Sequence, residues 1–141
     1  NNIREDNKMA GLTRYTRQAL LDHLMGVAVF TPPTDFYIGL FTAAPTPIDA
    51  GTEVAGINYQ RILHNDWHAA TAGEPSISTN VGNIVFPESG GSWGTIVAAG
   101  IFTAAEGGTL IAYGLCNQEC PINTVIRFLD SQLAVTINET V

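Results

Sequence analysis

The chain has 141 residues and a mass of 15.0 kDa, enough for one domain with a real core and short of comfortable for two. Only 13% of residues are charged, and six Lys plus Arg face thirteen Asp plus Glu, for a formal net charge of -7. Four of the six cations, Arg4, Lys8, Arg14 and Arg17, fall in the first seventeen residues, so the acidic remainder is excluded as a phosphate-neutralising binder of nucleic acid.

A surface this poor in charge has little repulsion to keep copies apart and suits a protein packed against neighbours. The basic N-terminal end suits docking on an acidic partner. No run reaches the roughly eighteen apolar residues of a membrane span, and no secretory signal pattern is present, so no membrane partner is expected. Cys116 and Cys120 lie in C-N-Q-E-C-P, where either a short bridged loop or two reduced thiols fits the spacing.

Residues 1–11 are polar and without period, and read as an arm. Residues 12–26 read as a helix begun near Thr13 and stopped by Gly26. Tyr15, Ala19, Leu20, Leu21 and Leu24 lie on its apolar side, to be laid on the β body or on another subunit. Residues 27–141 read as a β domain. Asp35 to Thr42 is a strand apolar on both faces, covered by the core on one side and by the helix on the other. A long loop over 43–58 and a second over 87–92 are candidate contact loops.

Further strands are expected over Tyr59–Leu63, continued past a bend to Ala69, then over Ser76–Asn80 and Ile84–Phe86. The segment from Trp93 to Gly114 reads as a central hairpin, Thr95–Phe102 and Thr109–Leu115 about a Glu106-Gly107-Gly108 break. Its text repeats an earlier one: Ile38-Gly39-Leu40-Phe41-Thr42-Ala43-Ala44 is answered by Ala99-Gly100-Ile101-Phe102-Thr103-Ala104-Ala105. Cys116–Pro121 then turns, and Asn123–Leu129 and Gln132–Thr140 are the last strands, joined at Asp130-Ser131. One helix before about eight strands with Gly- and Pro-rich joints is the pattern of a mainly β, jelly-roll-like sandwich.

The chemistry-bearing residues do not assemble into a known catalytic frame. His64, Asp66 and His68 would share one face of a strand as a metal set, but Trp67 needs that segment for burial and Asn65-Asp66 forms turns. The acids sit at strand ends or loops, no histidine lies near either cysteine in sequence, and the Gly-Gly pairs lack a phosphate-loop frame. The expectation is a non-enzyme with no cofactor and no metal.

Six motifs in order, L-L-D-H-L-M-G (20–26), T-P-P-T-D-F-Y-I-G-L-F-T-A-A-P-T (31–46), G-T-E-V-A-G-I-N-Y-Q-R (51–61), V-G-N-I-V-F-P (81–87), W-G-T-I-V-A-A-G-I-F-T-A-A-E-G-G (93–108) and R-F-L-D-S-Q-L-A-V-T-I (127–137), resemble a family of small virion proteins of tailed bacteriophages. Members are tail-fibre-like or structural, and some resemble capsid cement or decoration proteins that sit as trimers on the head. The resemblance implies a cement protein on the outer surface of the capsid. It would associate with itself as a trimer and bridge major capsid proteins.

A tail-associated or fibre-base protein is the alternative, and a carbohydrate-binding module a third, with Trp67, Trp93 and Tyr113 lining an exposed groove. The candidate interaction residues are Arg4, Lys8, Arg14, Arg17, Leu20, Leu24, Glu53 and Trp93. Gly51, Gly56 and Asn58 shape a loop around Glu53, whose carboxylate is expected to accept hydrogen bonds from backbone or Arg61.

Overall fold

The computed structural model describes residues 11–137; of the arm read over 1–11, Gly11 is strand, and residues 1–10, with Arg4 and Lys8, lie outside the described residues. Along the described residues the order is β1 (Gly11–Leu12), α1 (Arg14–Leu24), β2 (Tyr37–Ala43), β3 (Thr52–Glu53), β4 (Ile62–Leu63), β5 (Ser76–Thr79), β6 (Ile84–Val85), β7 (Gly94–Phe102), β8 (Leu110–Cys120), β9 (Arg127–Phe128) and β10 (Ala134–Ile137). The fold is mainly β with one N-terminal helix, and every strand pairing is antiparallel. The strands divide unevenly. A six-stranded sheet in the order β1-β8-β7-β2-β3, with β4 also on β2, faces two ribbons, β10-β5 and β6-β9.

The central hairpin is β7 and β8. Gly107 and Gly108 turn it with φ of 63° and 69°, a conformation that side chains with a Cβ disfavour. Thr103 closes the turn from both sides: its N–H donates to Thr109 O at 3.1 Å and its Oγ1 accepts the Thr109 N–H at 3.0 Å.

The repeated text also acquires a meaning. β2 and β7 are antiparallel neighbours with Gly39 opposite Gly100, Ile38 opposite Ile101 and Leu40 opposite Ala99, so the two copies pair about a local two-fold centred on the glycines. Each copy's phenylalanine lies over the other copy's glycine. A Cβ on Gly39 would stand 2.8 Å from Phe102 Cε2, and one on Gly100 would stand 2.9 Å from Phe41 Cε1. The two rings stack with centroids 5.8 Å apart. Glycine is required here for close approach.

The main core lies between the large sheet and the ribbons. Ile38, Leu40, Ile96, Ala99, Ile101 and Ala112 meet Ile84, Phe86, Ile126 and Leu133, all nearly or wholly buried. The opposite face of β2 and β7 carries the smaller cluster of Phe41, Ala98 and Phe102, with Tyr37, Ala44 and Leu110 against it. Both faces of β2 are therefore covered, as its sequence implies. The second cover is not the expected helix, however. The cluster draws no residue from α1, which packs on β1 and β8.

The helix matches its sequence limits. Thr13 caps it, accepting the Thr16 N–H, and Gly26 ends it at φ 77° with Gly26 N–H on His23 O and Val27 N–H on Asp22 O, a Schellman arrangement. Only its first turn is fastened to the sheet. Thr13 Oγ1 donates to Leu110 O at 2.9 Å and Thr16 Oγ1 donates to Ile111 O at 2.9 Å. Thr16 is its one buried residue, Ala19 and Leu20 are half-buried, and Leu21 and Leu24 are exposed, so only part of the apolar side is laid on this chain's β body.

Other expectations are corrected in detail. The 43–58 loop contains β3, because Glu53 and Thr52 pair with Phe41 and Ala43 across a bulge. The strand expected from Tyr59 shrinks to β4, and beyond it a single bridge joins Trp67 to Asn80. The expected turn at Cys116 is strand instead, since β8 runs on to Cys120 opposite Gly94. The last two strands follow each other through Ser131, at φ 64°, yet pair apart, β9 with β6 and β10 with β5.

Candidate functional site

The strongest polar constellation in the described residues forms where β3 meets the chain before β4 and the hairpin turn. Antiparallel pairing puts Glu53 opposite Phe41, and Tyr59 and Arg61 return beside it. Arg61 holds the Glu53 carboxylate with both arms of its fork, Nε to Oε2 at 2.8 Å and Nη2 to Oε1 at 2.7 Å. Its third nitrogen, Nη1, donates to Ala104 O at 2.7 Å and to Gly107 O at 2.8 Å. The guanidinium lies over the Phe102 ring, with Cζ 3.5 Å from the centroid. The Tyr59 hydroxyl donates to Glu53 Oε2 at 2.6 Å and accepts the Leu40 N–H at 2.9 Å.

These contacts fix the protonation states. Burial pushes the Glu53 pKa up, but the hydrogen bonds from Arg61 and Tyr59, with the Arg61 charge, outweigh it and hold the carboxyl below its ordinary value. Burial, and then the bond donated to Glu53, push the Tyr59 hydroxyl far above its usual range. Glu53 thus stays a carboxylate and Tyr59 a neutral phenol across neutral pH. The cluster staples three separate segments, β3, residues 59–61 and the 103–109 turn. An open groove of about 500 Å³ lies beside it, rimmed by Gln60, Ala105 and Glu106.

The expected bond between Glu53 and Arg61 is present. Tyr59 was legible only as the start of an expected strand, and the parts played by Phe102 and the Ala104 and Gly107 carbonyls carry no sequence signal, because the fold brings them in from more than forty residues away. Trp93 is 4% exposed and belongs to the core, which corrects its place among the interaction candidates. Its Nε1 donates to Ile57 O at 3.0 Å, its ring meets Tyr59 edge-on at 5.4 Å, and it fills the space that a Cβ on Gly56 would take. An exposed groove lined by Trp67, Trp93 and Tyr113 is therefore not what the fold builds.

The two candidate contact loops hold each other. Asn58 Nδ2 donates to Glu88 O at 3.3 Å, and buried Ser89 donates its hydroxyl to Pro121 O at 2.7 Å while accepting the Thr124 N–H at 3.0 Å. His64 and His68 do not converge: His64 Nε2 lies 2.9 Å from Asp66 O, and His68 Nε2 lies 3.7 Å from Asp130 Oδ1. Cys116 and Cys120 are free thiols, and the four residue steps of extended strand between them span roughly 13 Å, too far for a bridge. Burial pushes the Cys116 thiol pKa up.

Of the remaining candidates, Arg14, Arg17 and Leu24 are exposed on α1, and Leu20 is half-buried. Arg17 Nη1 donates to Leu12 O at 3.0 Å. Exposed apolar side chains concentrate just here: Leu21, Leu24, Met25, Val27 and Val29 are 59, 78, 69, 73 and 83% exposed.

A mainly β scaffold that ties its polar side chains into its own loops, and shows a run of apolar ones on and just past a helix held by one turn, has the build of a structural protein. A family model described as Podophage GP4 fiber I protein gp80 matches residues 11–136. The chain belongs to that family and is a bacteriophage structural protein. No curated protein matches it.

Proposed function

We propose that this protein is a fibre-associated structural subunit of the virion, acting without catalysis as a homotrimer that joins fibre components to their attachment site. The family match over residues 11–136 carries the reading, since the family description names a fibre protein. The β body supplies rigidity through the doubly covered β2–β7 pair and the Glu53–Arg61 staple. The exposed apolar helix supplies a surface for assembly. Neither nucleic acid nor membrane is a partner in this scheme.

The test is immunogold labelling of intact virions with an antibody against this chain, read by electron microscopy. Label confined to the tail and its fibres supports the proposal. Label spread over the head overturns it in favour of a cement protein that bridges major capsid proteins on the outer surface. Particles without label overturn both.

A further inference from the structure

The helix face left bare by the β body is organised along its length. Arg14, Arg17, Leu21 and Leu24 are spaced by three, four and three residues, which places them in one stripe, and all four are exposed. Thr16, Ala19 and Leu20 occupy the other side, toward the sheet. The stripe is basic near the anchored end and apolar beyond it. Past Gly26 the chain folds back, with Phe30 N–H donating to His23 Nδ1 at 3.1 Å, and the return adds Val27 and Val29 to the apolar part.

Leu21, Leu24, Met25, Val27 and Val29 together show roughly 600 Å², the upper end of the largest apolar patch on a typical monomer. Covered by a similar area of partner, the patch would give an interface of about 1,200 Å², which enters the range of specific assemblies.

We infer that this stripe docks on the acidic β body of a second copy of the chain, head to tail. Charge selects that occupant. After residue 17 the sequence has eleven Asp or Glu against Arg61 and Arg127 only, and Arg61 is already held by Glu53. Arg14 and Arg17 therefore meet complementary charge on a neighbour's body. A parallel pairing of two α1 helices would set arginine against arginine, and an antiparallel one would set arginine against Leu24 and Met25. A head-to-tail contact generates a closed ring when its rotation permits, which is the geometry that the proposed homotrimer requires and on which this inference rests.

The experiment is light scattering coupled to size exclusion, on the full chain, with Leu24→Asp and with the double charge reversal Arg14→Glu/Arg17→Glu. The wild type is expected to run as an oligomer at tens of micromolar. Leu24→Asp should run as a monomer, its dissociation constant raised at least tenfold, with the wild-type circular-dichroism spectrum kept because Leu24 is 78% exposed. The charge reversal should weaken assembly as well, and wild-type assembly should weaken with added salt. An oligomer that keeps its mass in both variants overturns the inference while leaving the trimer standing. A wild type monomeric at every concentration overturns both. In that second case, failure of Leu24→Asp to enter virions would assign the stripe to another virion protein.

Discussion

Replacing Arg61 with Met keeps the unbranched apolar stem and removes the charge and all four of the hydrogen bonds that the guanidinium donates. Arg61 is 8% exposed and Glu53 26%, so the carboxylate left behind is only partly able to reach water. Breaking a buried pair from one side costs about 3–5 kcal/mol. The partial exposure of Glu53 and its surviving bond from Tyr59 put this case at the lower end, near 3 kcal/mol, or about 10 °C in Tm for a domain of this size.

Thermal unfolding of wild type, Arg61→Met, Glu53→Gln and the double variant, followed by circular dichroism, completes a cycle. The double variant should lose less than the sum of the singles by about 2 kcal/mol, because no charge is stranded. The acid limb gives a second readout. The folded pKa of Glu53 is depressed, so its contribution is present above the unfolded value near 4.5 and disappears as pH falls through the folded one. The gap between wild type and Arg61→Met should therefore narrow on acidification below 4.5. A cost under about 1 kcal/mol that does not change with pH would refute the reasoning and make the pair a solvated surface contact.

Three further outcomes are expected. Gly39→Ala and Gly100→Ala should each destabilise by about 1–3 kcal/mol in chemical denaturation, since the new methyl meets a phenylalanine edge at 2.8 or 2.9 Å and, at Gly100, Leu110 Cδ1 at 2.6 Å as well; wild-type midpoints would refute the crossed Gly–Phe packing. Asn80 is wholly buried, donates to Gly82 O and Leu129 O and accepts the Leu133 N–H at 2.8 Å. Asn80→Leu should therefore cost about 3 kcal/mol or more by stranding those backbone groups, and an unfolding curve within 1 kcal/mol of wild type would contradict this. Under native conditions Cys120 should resist a thiol reagent and Cys116 react slowly, both reacting fast in denaturant; equal fast labelling of the native chain would disprove the placement of β8.

Several features were legible locally because their causes are local. Thr13 and Gly26 delimit the helix by capping chemistry that reaches only a few residues along the chain. Gly107-Gly108 marks the hairpin turn through its own backbone conformation, and the doubly apolar Phe36–Leu40 text announces a strand buried on both faces. The bond between Glu53 and Arg61 was within reach as well. The two lie eight residues apart, and Arg61 is one of just two cations in the body.

By itself, then, the sequence determined a mainly β domain behind one capped helix, with a central glycine-turned hairpin and an acidic, charge-poor body. What only tertiary structure decided was partnership. Strand pairing set Gly39 against Gly100 and so turned a repeated text into a crossed Gly–Phe lock, and it sent β9 and β10 to different ribbons despite their short link. It carried the hairpin-turn carbonyls to Arg61, sank Trp93 behind Gly56, and left Leu21 and Leu24 of α1 uncovered. Periodicity states that a face is apolar. Which surface covers that face depends on contacts between residues far apart in the chain, and those exist only once the sheet has formed.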